Sequence, residues 1–149
     1  MFIFLIFIFS TITFSQVPTV TTIDSVGDVG KYLSMKIDSS GKIWLSYYDA
    51  TRQIIKIAHK ENNNWMINEI NQAKSSGNYT SMVIDPLNKI SITFSDPVYN
   101  EVKYIGWLPI APLANLSVID SINNPGYYSL LTKDTLGNLA MTYVAEATK

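Results

Sequence analysis

The sequence predicts an all-β fold made of repeated antiparallel units, and three observations support this. A short motif centred on a tyrosine recurs three times along the 149 residues. Between its copies, short runs of alternating apolar residues are separated by clusters of Asp, Asn, Ser and Gly, which are the residues of tight turns. Beyond the first fifteen residues, no stretch keeps an apolar period of 3.6 over ten residues, so no helix is predicted there.

The recurring motif is Tyr-x-Ser followed by Met or Leu. Its copies read YLSM, YTSM and YYSL at residues 32–35, 79–82 and 127–130. Aligned in this way, Tyr32, Tyr79 and Tyr127 are 47 and 48 residues apart (79 − 32 and 127 − 79), and the third copy carries one extra residue before Gly137. A repeat of this length indicates a supersecondary unit that buries its apolar face against its neighbours.

Each unit contains four candidate strands. In the first copy they are residues 32–37, 42–48, 53–58 and 65–70. The first strand ends in a turn where Asp38 can bond its own backbone and Gly41 supplies a positive φ. The second strand is dense in aromatic and β-branched residues. Turns at residues 49–52 and 62–64 connect the remaining strands.

Four strands in about 47 residues is the length of one blade of a β-propeller. The predicted fold is therefore a partial β-propeller of four-stranded antiparallel blades, with about 2.5 blades beginning near residues 30, 77 and 126. A closed propeller needs at least four blades, so residues 16–149 are expected to be a fragment of a longer protein. The segment from Val17 to Asp24 is predicted to be an orphan fourth strand. Self-association of several copies through open blade edges is the alternative.

Residues 1–15 are predicted to form a signal peptide. The run from Phe2 to Phe9 is entirely apolar, but it is too short for a transmembrane helix, which needs about 20 residues. Thr13 and Ser15 place small residues at positions −3 and −1 before Gln16. No Lys or Arg precedes the run, which leaves open a longer or atypical signal, or a buried strand. The expected location is secreted, at the cell surface or in the periplasm, with no membrane span after cleavage.

Composition excludes several classes of function. Eleven basic and twelve acidic residues give a net charge of −1, which offers no electrostatic footprint for nucleic acid or an anionic membrane. The chain has no cysteine and a single histidine, His59, so disulfides, thiolate metal sites and multi-histidine sites are excluded. No cofactor and no metal are predicted.

The repeat resembles that of bacterial secreted β-propellers. The letters LSYYD at residues 45–49 and IKIA at residues 55–58 nearly match the "ISYYD…LKYA" runs of such chains, and the resemblance covers residues 21–145. The chain is more weakly similar to sialidase-like propellers, whose Asp-box has the form S-x-D-x-G-x-T-W. Residues 38–44 have one extra residue between Asp and Gly, and Ile43 replaces the Thr. The resemblance implies a type of blade and no particular activity.

Residues repeated in every copy are expected to build the blade. Tyr32, Tyr79 and Tyr127 are predicted to be wedges between blades, and Asp49 and Asp96 are predicted to cap the turn after each second strand. Ligand contacts are expected on the loops where the copies differ. The candidate ligand-binding residues are Tyr48, Asp49, Arg52, Asp96 and Tyr99. Arg52, the only arginine, suits bidentate recognition of a carboxylate, although a solvated loop arginine is the simpler interpretation.

Two functions remain open from the sequence. The first is an exported, non-catalytic propeller module that binds a protein or a polysaccharide. The second is the remnant of a sialidase-like or other propeller glycoside hydrolase. The resemblance implies that a sialidase would need three arginines around the substrate carboxylate, and this chain contributes Arg52 alone. The glutamates show no spacing that pairs two carboxylates across a cleft, so we predict a protein that is not an enzyme.

Overall fold

The computed structural model describes residues 20–71, 77–109, 115–123 and 125–145. This part of the chain is all-β and contains no α-helix, which confirms the all-β part of the predicted fold class. Its ten strands are β1 Val29–Ile37, β2 Ile43–Asp49, β3 Ile54–Glu61, β4 Asn64–Ile70, β5 Asn78–Ile84, β6 Ile90–Asp96, β7 Glu101–Trp107, β8 Asn115–Asp120, β9 Pro125–Lys133 and β10 Leu139–Ala145. The four strands predicted for the first copy are all present, with shifted ends.

The strands form three antiparallel sheets. The first sheet has the order β1-β2-β3-β4, the second β5-β6-β7-β8, and the third β9-β10. Strands that are neighbours in a sheet are also neighbours in the sequence, so each sheet is a meander with short connections. The predicted four-stranded antiparallel unit is therefore confirmed twice in the described residues.

The turn after the first strand of each sheet is built by one aspartate. Asp38 Oδ1 accepts hydrogen bonds from the backbone N–H groups of Ser40 (2.9 Å) and Lys42 (3.0 Å). The same turn recurs at Asp85 and Asp134, each of which accepts from backbone N–H groups two and four residues later. Because these side chains satisfy turn amides that no strand pairs, the aspartates fix where each hairpin turns.

The pairing of β9 and β10 corrects the alignment of the third copy. Leu131 lies opposite Met141, in the same way that Met82 lies opposite Ile92 in the second sheet. Tyr128, and not Tyr127, is therefore the equivalent of Tyr79. The backbone agrees with this register, because positive φ angles occur at Tyr32 (53°), Tyr79 (56°) and Tyr128 (52°).

The predicted extra residue before Gly137 is also wrong. The step from Asp134 to Gly137 has the same length as the step from Asp85 to Asn88, so the β9–β10 turn carries no insertion. The additional length lies in the connection between β7 and β8, residues 108–114. The corresponding connection between β3 and β4 is Asn62 and Asn63 alone. An insertion in a hairpin connection leaves the sheet intact, whereas one inside a strand would shift its side chains to the other face.

The first strands of the three sheets lie side by side and are joined through hydroxyl groups. Thr80 Oγ1 donates to the carbonyl of Tyr32, and Ser34 Oγ accepts from the N–H of Met82 at 3.2 Å. The next junction repeats both bonds. Ser129 Oγ donates to the carbonyl of Tyr79 at 2.7 Å, and Ser81 Oγ accepts from the N–H of Leu131 at 2.9 Å. We call this pair of bonds the hydroxyl stitch.

The main core lies between the first and second sheets. Trp44, Ile55, Ile57 and Ile70 belong to one face of the first sheet and cluster with side chains of the second sheet, which are Met82, Ile90, Ile92, Phe94, Ile105 and Trp107. The opposite face of the first sheet carries a smaller cluster of Leu45, Tyr47 and Ala58, against which Ile23 packs. The strands are thus apolar on both faces because sheets, or a chain segment, cover both.

The predicted N-terminal features are only partly within the described residues. The signal peptide at residues 1–15 lies outside them, as do residues 17–19 of the orphan strand. Residues 20–24 are extended over the first sheet but form no strand. Tyr47 donates to Asp24 Oδ2 at 2.9 Å, just as Tyr143 donates to Asp120 Oδ2 at 2.6 Å at the end of β8. Residues 20–24 therefore contact the first sheet as the end of β8 contacts the third.

Candidate functional site

A row of tyrosine rings is repeated on the first strands of the three sheets. We call Tyr32, Tyr79 and Tyr128 the tyrosine row. The ring centroids of Tyr32 and Tyr79 are 4.7 Å apart, and those of Tyr79 and Tyr128 are 4.9 Å apart. Tyr128 is 71% exposed and Tyr32 is 38% exposed. The sequence predicted wedges between blades at Tyr32, Tyr79 and Tyr127. In the structure the row tyrosines of neighbouring sheets contact one another, and Tyr32 and Tyr128 also face solvent.

The backbone at the tyrosine row is held in an unfavourable conformation. A positive φ at a bulky residue is uncommon, and the left-handed region costs about 1–2 kcal/mol per residue. The pairing of the first strand is shifted at the same place in all three sheets. The resulting bulge re-aims the tyrosine side chain, which is the usual effect of such irregularities near binding sites.

An open groove of 330 Å³ runs along the tyrosine row. Its other lining residues are Leu33, Thr80, Ser129 and Leu130. Burial, and next to it the charge of neighbouring Tyr128, raise the pKa of Tyr79 above its usual range. The phenol of Tyr79 is therefore neutral at physiological pH and can donate a hydrogen bond. The groove offers aromatic faces, hydroxyl groups and aliphatic side chains, and no charged group lines it.

The predicted site residue Asp49 lies beneath the loops in a buried ionic network. Asp49 is fully buried, and its Oδ2 lies 2.8 Å from Lys56 Nζ, which also donates to Asp24 at 3.0 Å. Burial opposes ionisation of both carboxyls, yet hydrogen bonds from Lys56 and from backbone N–H groups outweigh it and lower both pKa values. Asp49 Oδ1 caps the turn by accepting from the N–H of Arg52 at 2.9 Å.

The predicted site residue Asp96 repeats this arrangement in the second sheet. Its Oδ2 accepts from Lys103 at 2.5 Å, and its Oδ1 accepts from the N–H groups of Val98 and Tyr99 at 3.0 and 3.3 Å. Glu101 takes the place of Asp24 as the second partner of the lysine, at 3.1 Å. The carboxylates of Asp49 and Asp96 thus each cap a turn, as the repeat predicted, and each also pairs with a lysine, which the sequence did not predict.

The other predicted site residues lie at the surface. Arg52 forms an ion pair with Glu69, a partner that the sequence analysis did not identify. Tyr99 is 66% exposed, and the Lys103 ammonium lies 5.0 Å from its ring centroid. Tyr48 lies next to the tyrosine row, since its ring centroid is 6.5 Å from that of Tyr32 at one end of the row.

A second cavity is a 480 Å³ cleft between the first two sheets, away from the tyrosine row. His59 stacks there on Trp44, with the ring centroids 4.4 Å apart, and His59 Nε2 lies 3.4 Å from Glu61. Both tryptophans of this cleft, Trp44 and Trp107, are buried, so neither presents a free face to a ligand. We therefore do not place the candidate site in this cleft.

The tyrosine row was only partly visible in the sequence. The repetition of the tyrosine marked it as a structural element, but only the register of β9 identifies Tyr128 as its third member. Nothing in the pattern distinguishes a ring between sheets from a ring on the first-strand surface. A tyrosine at a fixed position in every copy was the available signal.

Comparison with known proteins gives no family for this chain. No protein-family model matches it, and no curated protein is similar to it. Across residues 20–71, 77–109, 115–123 and 125–145, no cluster of three or more His, Asp or Glu side chains could hold a metal ion. No helix in the described part of the chain is long and apolar enough to cross a bilayer.

Proposed function

We propose that the chain is an exported, non-catalytic module of the β-propeller type, and that it binds a polysaccharide or a protein through the tyrosine row. The observation that carries this proposal is the repeated Tyr32–Tyr79–Tyr128 row, in which Tyr32 and Tyr128 face solvent, with its three positive φ angles. Tyrosine supplies a large, rigid contact surface at low cost in conformational entropy, which is why it is favoured at binding surfaces.

The shape and charge of the groove favour an extended, uncharged ligand. The groove is open along the row, and its lining includes no Asp, Glu, Lys or Arg. The hydroxyl groups of Thr80 and Ser129 are engaged by the stitch, which leaves the phenol groups as the polar contacts. A polymer that presents flat apolar faces and hydroxyl or carbonyl groups suits such a surface.

The propeller assignment is supported by the arrangement of the sheets. Consecutive four-stranded meanders pack face to face, and the first strand of each lies beside the first strand of the next. In a propeller, the first strands of successive blades surround the central channel in this way. The tyrosine row would then line the channel, where a ligand can contact several blades at once.

The test is a comparison of two equally exposed tyrosines in binding assays. Tyr128→Ala removes an exposed member of the row, and Tyr99→Ala removes a ring on the β6–β7 turn that the sequence predicted as a ligand contact. A panel of neutral polysaccharides and unfolded polypeptides is screened by affinity electrophoresis and calorimetry. We expect Tyr128→Ala to weaken binding of the recognised polymer at least tenfold, about 1.4 kcal/mol, with Tyr99→Ala unchanged.

Two results would contradict this proposal. Loss of binding in Tyr99→Ala with Tyr128→Ala unaffected would move the site to the loops. Release of shorter products from a bound polysaccharide would show that the protein is an enzyme. Binding of polypeptides alone, lost in Tyr128→Ala, would keep the tyrosine row as the site and assign a protein ligand.

A further inference from the structure

The two ends of the array are the two halves of an interface that the molecule builds twice internally. We call the face of a sheet that packs on the next sheet in chain order its following face, and the face that packs on the previous sheet its preceding face. At each internal junction the following face of one sheet meets the preceding face of the next. The first sheet has no sheet against its preceding face, and the third sheet has none against its following face, in the described residues. On these faces Leu33, Met35 and Ile37 of β1 and Leu130 of β9 are each more than half exposed. Met82, the counterpart of Met35 in the second sheet, is fully buried.

A glycine near the start of the first strand of each sheet leaves space for a side chain of the previous sheet, and we call this position the glycine socket. Gly30, Gly77 and Gly126 all precede a row tyrosine by two residues, and all have positive φ. A Cβ on Gly77 would lie 2.6 Å from Tyr48 of the first sheet, and one on Gly126 would lie 3.1 Å from Ser95 of the second. A Cβ on Gly30 would meet nothing within 4 Å. The first sheet thus has the glycine socket, but no side chain of another sheet packs against it in the described residues.

The side chain that would enter this socket is present at the other end of the chain. By the register of β9 and β10, Val144 occupies the position of Tyr48 and Ser95. Val144 is about half exposed on the following face of the third sheet. The socket and its matching side chain are therefore both solvent-exposed, at opposite ends of the array.

At the two ends of the array, leucines replace the hydroxyl side chains of the stitch. Leu33 stands where the second and third sheets have Thr80 and Ser129, and Leu130 stands where the first and second sheets have Ser34 and Ser81. A junction between the third sheet of one molecule and the first sheet of another would bring these two positions together. It would replace the hydroxyl stitch with a contact between two leucines.

We propose that the chain associates head to tail with a second copy of itself, the following face of the third sheet docking on the preceding face of the first sheet. Residues 20–24 leave room for this contact, since Ile23 packs with Leu45, Tyr47 and Val29, while Leu33, Met35 and Ile37 of β1 stay more than half exposed. The contact is heterologous, so copies add in one direction and form a ring or an open series.

Two charge substitutions test the proposal, each disabling one face. Leu33→Asp disables the preceding face and Leu130→Asp the following face. Leu136→Asp is the matched control, because Leu136 is an exposed leucine on the β9–β10 turn. The protein recovered from cells expressing the full chain is measured by light scattering over a range of concentrations. We expect association of the unchanged protein and of the control, and monomers from each face variant alone.

Mixing the two face variants gives the decisive result. Each still has one intact face, so an equimolar mixture should form a one-to-one dimer and nothing larger. The dimer also shows that both variants are folded. The proposal is overturned if the unchanged protein stays monomeric, which would assign the bare faces to further repeats of a longer chain. It is equally overturned if either face variant associates alone, or if the mixture remains monomeric.

Discussion

At the scale of single residues, Asp38 does the most to define a turn. Besides two backbone N–H groups, its carboxylate accepts from the Ser40 hydroxyl at 2.6 Å and from Trp44 Nε1 at 2.9 Å. Burial opposes its ionisation, but these hydrogen bonds from Ser40, Trp44 and Lys42 outweigh burial and lower its pKa to about 2. The ionised form is therefore bound more tightly in the folded chain than in the unfolded one.

Asp38→Asn should destabilise the protein and reduce the change in its stability between neutral and acidic pH. We expect the free energy of unfolding at neutral pH to fall by about 1–3 kcal/mol, because bonds to a buried charged acceptor are lost. The lowered pKa means that the contribution of Asp38 is complete above its ordinary value of 3.8 and is lost as the pH falls through about 2. Urea unfolding between pH 2 and pH 7 measures both effects.

The equivalent substitution Asp85→Asn is the control for this prediction. Asp85 accepts from the backbone N–H groups of Leu87 and Lys89, and no side-chain donor to it is present among its contacts in the described residues. Asp85→Asn should therefore lower the free energy of unfolding less than Asp38→Asn does. Equal costs for the two substitutions would show that the bonds from Ser40 and Trp44 add nothing.

Much of this residue-level chemistry could be read from the sequence. Asp38 and Gly41 were identified as turn formers because Asp can bond its own backbone and Gly tolerates a positive φ. The bond from Trp44 could not be predicted, since it depends on which face of β2 the indole occupies. The partners of Asp49 and Arg52, namely Lys56 and Glu69, are likewise set by strand register.

At the scale of elements, the glycines before the tyrosine row report on sheet packing. Gly77 and Gly30 both have positive φ, so an alanine strains the backbone at either position. They differ in their surroundings, because a Cβ on Gly77 would also collide with Tyr48 and Ile55 of the first sheet. A comparison of the two positions separates backbone strain from the contact between sheets.

Gly77→Ala should be more destabilising than Gly30→Ala by about 1–3 kcal/mol, the usual cost of overpacking. Gly30→Ala should cost about 1–2 kcal/mol from φ alone. Urea unfolding of the two variants in dilute solution, below any association, measures the difference. Equal losses would mean that the first sheet does not press on Gly77, and the packing described here would be incorrect.

The elements themselves followed from the sequence, but their alignment did not. The alternating apolar residues and Asp-Gly turns predicted the four strands of the first copy. The third copy was misaligned because two adjacent tyrosines, Tyr127 and Tyr128, fit the motif equally well. The choice is made by pairing, since only Tyr128 puts Leu131 opposite Met141 and keeps its apolar side chain buried.

At the scale of the whole molecule, the sheets pack in chain order through their first strands. The repeat predicted this stacking, because a single four-stranded meander cannot bury both of its apolar faces. The buried cluster that joins Ile55 and Ile57 to Met82 and Ile92 is the result. The exposure of Tyr32 and Tyr128 and the open space at Gly30 could not be predicted, since both depend on how neighbouring sheets are placed.

A cross-link between the first two sheets tests this arrangement most directly. Ser46 Oγ on β2 and Thr80 Oγ1 on β5 are 3.3 Å apart, and the chain has no cysteine of its own. The pair Ser46→Cys and Thr80→Cys should therefore lie close to the geometry of a disulfide. Ser46→Cys with Ser129→Cys is the control, because Ser129 contacts the second sheet from its other side.

Both double variants are oxidised mildly as native protein, and disulfides are identified by thiol titration and peptide mass mapping. We expect a rapid intramolecular disulfide between positions 46 and 80 in native protein, slower formation in urea, and free thiols in the control. Free thiols at positions 46 and 80 in folded protein, or equal cross-linking of both pairs, would contradict the packing of the sheets.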